Sequence, residues 1–144
     1  MSIEIKISVF FLTALLVFPI FSAEVAKSSA DVLIVQGEKQ WAQGRVEEAR
    51  GSFERAIADN PRSVPVRMKL AGLLVSQQDF GAAIPAYQQI ISLDGSNALA
   101  WVGLGMSYLH TGRRELSKAA FAEAVRIDPS RKSQLATLLE KTAR

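Results

Sequence analysis

The stretch WVGLGMSYLHTGRRELSKAAFAEAVRIDP, residues 101–129, decides the fold. Trp101, Leu104, Gly105 and Tyr108 open it, Gly112 divides it, and Phe121, Ala124 and Pro129 close it. The same physical types recur upstream at a fixed spacing of 34 residues. Phe53, Tyr87 and Phe121 form one column, and Ala56, Ile90 and Ala124 another. Gly37, Ala71 and Gly105 form a third, and Ala49, Ala83 and Ser117 a fourth. Pro61 and Pro129 share a register, with Gly95 midway between them. Columns of one physical type held in register without a gap mark a stack of identical supersecondary units.

Each column has a mechanical reason if the unit is a pair of helices. Small residues at Gly37, Ala71 and Gly105 are expected to face Ala49, Ala83 and Ser117, letting two helix axes approach closely. Phe53, Tyr87 and Phe121 are expected to fill the space between neighbouring units. Gly44 and Gly112 suit a left-handed residue closing the first helix of a unit. Pro61 and Pro129 stop the second, because proline cannot continue a helix. The pattern predicts helices over 30–43, 46–59, 64–77, 80–93, 98–111 and 114–127. Ser63 and Asn97 stand at N-cap positions, and Pro65 in a first turn. Pro85 lies deeper and is expected to loosen the start of its helix. In the tail, Leu135, Leu138 and Leu139 share one face, the mark of an amphipathic helix able to cap a stack.

The third copy resembles the tetratricopeptide repeat, whose pattern runs W-x2-L-G-x2-Y, then A-x3-F and a closing P. It departs at Ser117, where the family usually has alanine. The first copy keeps Gly37, Ala49, Phe53, Ala56 and Pro61 but has Gln40 where the third has Tyr108. The second keeps Leu70, Ala71, Ala83 and Tyr87. The resemblance implies an all-α helical-hairpin solenoid with three repeats, 30–63, 64–97 and 98–131, and a capping helix over 132–144.

The first two dozen residues are different in kind. Ile7 to Phe21 carries no charge, Lys6 precedes it, and Ser22 and Ala23 follow it. That is the layout of a secretory signal peptide over 1–23, followed by a linker over 24–29. The apolar run is shorter than the roughly 20 residues a membrane-spanning helix needs. Cleavage after Ser22 or Ala23 is the expectation, with an uncleaved anchor as the alternative. The expected address is therefore the periplasm, or the inner-membrane surface if the segment stays.

Composition narrows the chemistry. With no cysteine, a lipid anchor on cysteine and a disulfide scaffold are excluded. Seventeen basic and 14 acidic residues give a mixed surface of net charge +3, which is no nucleic-acid footprint. One histidine and no cysteine argue against a zinc cluster. Gly103-Leu104-Gly105 is not a nucleotide loop: the third glycine of that fingerprint would fall on Tyr108, and no strand precedes it. His110 is the sole histidine and has neither a nucleophile nor an orienting acid in its pattern. No enzyme activity and no cofactor are expected. The basic residues Arg113, Arg114, Lys118, Arg126, Arg131 and Lys132 read as a solvated convex face.

The resemblance places the first helix of each repeat along a concave surface that binds peptides or helices. In that register the groove is formed by Ile34, Glu38 and Trp41, then Met68, Gly72 and Val75, then Leu99, Val102, Met106 and Leu109, with His110 at the edge. Most of these are apolar. One subgroup of the family clamps a C-terminal carboxylate with lysine, asparagine and arginine in this groove; here only Lys69 could serve, and Glu38 has the wrong sign. The expected partner is another protein, offering an apolar helix or peptide. The expected setting resembles that of small exported bacterial repeat proteins in pilus, secretion or cytochrome assembly. A self-associating scaffold and a chaperone of an exported substrate are the alternatives.

Overall fold

The structure, a computed structural model, describes residues 28–142. The signal segment 1–23 lies outside the described residues. The described chain is helical from end to end: α1 (Ser29–Ala42), α2 (Val46–Asp59), α3 (Val64–Ser76), α4 (Phe80–Leu93), α5 (Ala98–His110), α6 (Arg114–Ile127) and α7 (Lys132–Thr142), with a 3-10 turn at Pro129–Arg131 before α7. Consecutive helices pack in pairs, α1 on α2, α3 on α4 and α5 on α6, and each pair stacks on the next. The sequence thus folds as the three-repeat solenoid its period implies.

Side-chain caps start α1, α4 and α5. Ser28 Oγ accepts from Asp31 N at 3.2 Å while the Asp31 carboxylate accepts from Ser28 N at 3.3 Å, a reciprocal box that satisfies two end donors of α1. Asp79 caps α4 through Ala82 N at 3.1 Å, and Asn97 caps α5 through Ala100 N at 3.0 Å. Ser63 stands at the N-cap of α3, but its side chain makes no capping bond; Pro65 in that first turn removes one of the donors a cap would serve. Contrary to expectation, Pro85 does not loosen α4, which runs unbroken from its Asp79 cap with Pro85 on the exposed side.

Three linked apolar clusters form the core. Ala49, Phe53, Ala56, Val66 and Leu73 bind the first repeat to the second. Ala71, Ala83, Tyr87, Ile90, Ala100, Leu104 and Tyr108 bind the second to the third. Phe121 and Ala124 join Leu135 of α7 in the last. Full burial of side chains such as Phe53 or Ile90 contributes roughly 1.5–3 kcal/mol each.

The small-residue column lets the paired helices approach closely, as expected, with Gly105 against Ser117, and its glycines have a second role. A Cβ on Gly37 would lie 2.6 Å from Cε1 of Phe53, and one on Gly105 would lie 2.7 Å from the Phe121 ring. These glycines are seats for the aromatic ring of their own repeat, not only points of helix approach. In the second repeat Ala71 stands at that position, in the same buried cluster as Tyr87, and the Tyr87 ring also reaches Gly103 of the next repeat, where a Cβ would be 2.2 Å from Cζ. Gly103 is therefore explained by packing.

Two polar substitutions in the repeat pattern are answered inside the frame. Ser117 Oγ donates to the Gly105 carbonyl at 2.7 Å, tying α6 to α5. Gln40, buried where the third repeat has Tyr108, accepts from Ser52 Oγ at 2.7 Å. Each pairing removes the penalty of a buried polar group.

Candidate functional site: the row along α1, α3 and α5

Residues three and four apart on a helix share a face. By that rule Ile34, Glu38 and Trp41 align on α1, Met68, Gly72 and Val75 on α3, and Leu99, Val102, Met106 and Leu109 on α5. Glu38 and Leu99 are exposed, and the other eight are half-buried. What lies beneath them differs along the row. Ile34 and Trp41 rest on the Phe53 cluster, Met68 and Val75 on the Tyr87 cluster. Val102 and Met106 pack against the cluster that Leu135 of α7 shares, together with Leu138 and Leu139. The α5 end of the row is thus partly committed to the capping helix. Leu99 is the most accessible large apolar residue of the row, at 53%.

His110, four residues beyond Met106, stands exposed at the end of α5. Its ring stacks on Phe80 at the start of α4, with centroids 4.0 Å apart and planes 4° from parallel. That contact fastens the end of α5 to α4, so the histidine serves the frame.

An open depression lies at the α1 end of the row. Glu38, Trp41, Ala42 and Lys69 line it, around a volume of about 340 Å³. Trp41 meets Phe53 edge to face at 6.5 Å, which holds its indole upright. Its far edge overhangs α3, because a Cβ on Gly72 would lie 3.5 Å from Cη2. The indole edge therefore lies over Gly72. Lys69 of α3 reaches across to the Glu38 carboxylate as an ion pair, with side-chain exposures of 35% and 47%. Such a solvated pair contributes little to stability, about 0–1 kcal/mol. Sequence reasoning placed both residues but not their pairing. The available signal is their spacing of 31, one period less one helical step.

The groups with displaced proton affinities lie on the second helices of the repeats or just beyond. Burial raises the Tyr87 hydroxyl. The Arg126 guanidinium lowers Glu123, and hydrogen bonds from Ser130 lower Asp128. Arg126 and Arg131 of the basic group are paired, with Glu123 and Asp128, and Arg113 lies 6.0 Å from the Tyr108 ring centre. Among the described residues no group of His, Cys, Asp and Glu could hold a metal ion, and no helix is long and apolar enough to cross a membrane.

Comparison with known proteins completes the assignment. Residues 34–91 and 68–132 match the tetratricopeptide repeat family. The chain is 31% identical over 108 residues to the general transcriptional corepressor ssn6 of Schizosaccharomyces pombe, covering 69% of this chain and 10% of that protein. It is 27% identical over 111 residues to the Hsp70-Hsp90 organizing protein of Triticum aestivum, covering 77% of this chain and 19% of that protein. It therefore spans a small part of these curated relatives. Among solved structures, the second TPR domain of the human RPAP3 protein in complex with HSP70 peptide SGPTIEEVD superposes with a TM-score of 0.73, at 24% identity over 81% of this chain and 96% of that one. MamA superposes with a TM-score of 0.67, at 23% identity over 72% of this chain and 61% of that one. These two likenesses show the fold alone. The repeat register, the stacked helical hairpins and the match from residue 34 to 132 together establish that the chain belongs to the tetratricopeptide repeat family.

Proposed function

We propose that this protein is an interaction adaptor, a binding module and not an enzyme, that receives an apolar helix or peptide of another protein along α1, α3 and α5. The observation that carries this reading is the row itself. From Met68 to Leu109 it presents half-buried or exposed apolar side chains, interrupted only by Gly72. Covering such a surface gains roughly 25 cal/mol per Å² of apolar area removed from water. The two methionines, Met68 and Met106, suit a surface that adapts to its occupant. The RPAP3 TPR domains, similar in fold, are bound to HSP90 or HSP70 peptides, which supports a peptide as the class of occupant.

The expected setting is an exported one. The apolar stretch Ile7 to Phe21 followed by Ser22 and Ala23 supports a cleaved signal, hence a periplasmic adaptor in assembly of an envelope complex of the pilus, secretion or cytochrome type. If the signal is retained, the same repeats stand at the inner membrane.

Selection of displayed random peptides on the mature chain tests the binding reading. The expected survivors are apolar or amphipathic sequences whose affinity barely changes between low and moderate salt. Leu99→Asp should weaken them about tenfold or more with the melting temperature unchanged, because Leu99 is exposed. Met106 is the wrong site for this test, since its packing against the α7 cluster makes an aspartate there destabilising. Survivors that are acidic and salt-sensitive would contradict the reading. Sedimentation of the same chain separates an adaptor from a self-associating scaffold.

A further inference from the structure

We infer that Glu38 is a specificity-determining residue: by holding Lys69 in an ion pair across the depression beside Trp41, it closes the groove to anionic segments and reserves it for uncharged apolar ones. This rests on the adaptor reading above and adds what the groove refuses.

The argument is one of charge balance. The row residues of α3 and α5 carry no acidic or basic side chain. On α3 the cations are Arg67 and Lys69. Arg67 is turned toward the second helices, donating to the Pro61 carbonyl at 2.7 Å and to Gln89 Oε1 at 2.7 Å. Asp31 on α1 is occupied in the capping box with Ser28. Among the described residues Lys69 is therefore the one cation lining the depression, and Glu38 beside it cancels its charge. A carboxylate entering here would meet a lysine already matched and a second carboxylate next to it. An uncharged side chain entering beside Trp41 leaves the pair intact and is covered by the indole.

Glu38 is exposed and Lys69 partly exposed, so breaking the pair disturbs the fold little. That makes Glu38 separable from stability. The probes are two synthetic peptides: an uncharged apolar helical peptide blocked at both ends, and the same peptide with two glutamates added at its C-terminal end. The wild-type chain should prefer the uncharged probe. Glu38→Gln should improve binding of the acidic probe about fivefold relative to the uncharged probe. Lys69→Met on top of Glu38→Gln should remove that gain, and moderate salt should shrink it. A Glu38→Gln chain that improves neither probe, or both equally, overturns the inference while the adaptor reading stands. If neither probe binds any of these chains, the adaptor reading falls and the inference with it.

Discussion

The outer repeats and the middle one seat their aromatic rings on different glycines. In the first and third, the ring of Phe53 or Phe121 lies on a glycine of its own first helix. In the second, Ala71 stands at that position, and the Tyr87 ring also reaches Gly103 across the repeat boundary. The turn between the helices repeats the contrast. Gly44 and Gly112 take φ of +74° and +76° without cost, whereas Gln78 holds the same left-handed position at +60°. The comparison teaches that a repeat conserves volume at an interface, not identity at each position. A methyl gained at Ala71 is matched by a side chain absent at Gly103, one repeat later.

The sharpest way to break this comparison is to fill the displaced seat. Gly103→Leu should cost about 3 kcal/mol, since its side chain would occupy the space of the Tyr87 ring. The corresponding position in the second repeat is Lys69, partly exposed and paired with Glu38. Lys69→Leu should cost under about 1 kcal/mol. Denaturant melts that show equal losses would mean the two boundaries are packed alike.

A smaller effect tests what the third repeat does with its serine. Ser117→Ala restores the usual residue of the family but deletes the hydroxyl that serves the buried Gly105 carbonyl at 2.7 Å. The expected loss is about 0.5–1.5 kcal/mol. A stability gain would show instead that the hydroxyl is merely tolerated.

The smallest effect sharpens the turn contrast. Gln78→Gly should stabilise the chain by up to about 1 kcal/mol, because glycine adopts the left-handed turn without the Cβ penalty. Gly44→Gln should destabilise it by a similar amount. Thermal melts of the pair should move in opposite directions, and a shift in the same direction would remove strain as the difference between the repeats.

Much of this was legible from the residues alone. The period of 34 placed the helices within a residue or so of where they stand, because capping and turn chemistry are local. Asn97 and the two turn glycines acted as read. What could not be read was which neighbour each side chain meets. The columns show an aromatic in every repeat, and nothing in them says that the Tyr87 ring reaches Gly103 across the repeat boundary. His110 shares a helix with the row, yet its ring finds Phe80, a partner on another repeat.

The division has a physical cause. The sequence by itself determined the helices, their caps and turns, the stacking order and the set of residues sharing each first-helix face, since these follow from short-range geometry repeated at a fixed interval. Only the tertiary structure decided that Val102 and Met106 are shared with α7, that Trp41 overhangs Gly72, and that Glu38 cancels the charge of Lys69. Those contacts cross repeat boundaries, where the rotation of one hairpin on the next and the filling of common space select one partner among several within reach.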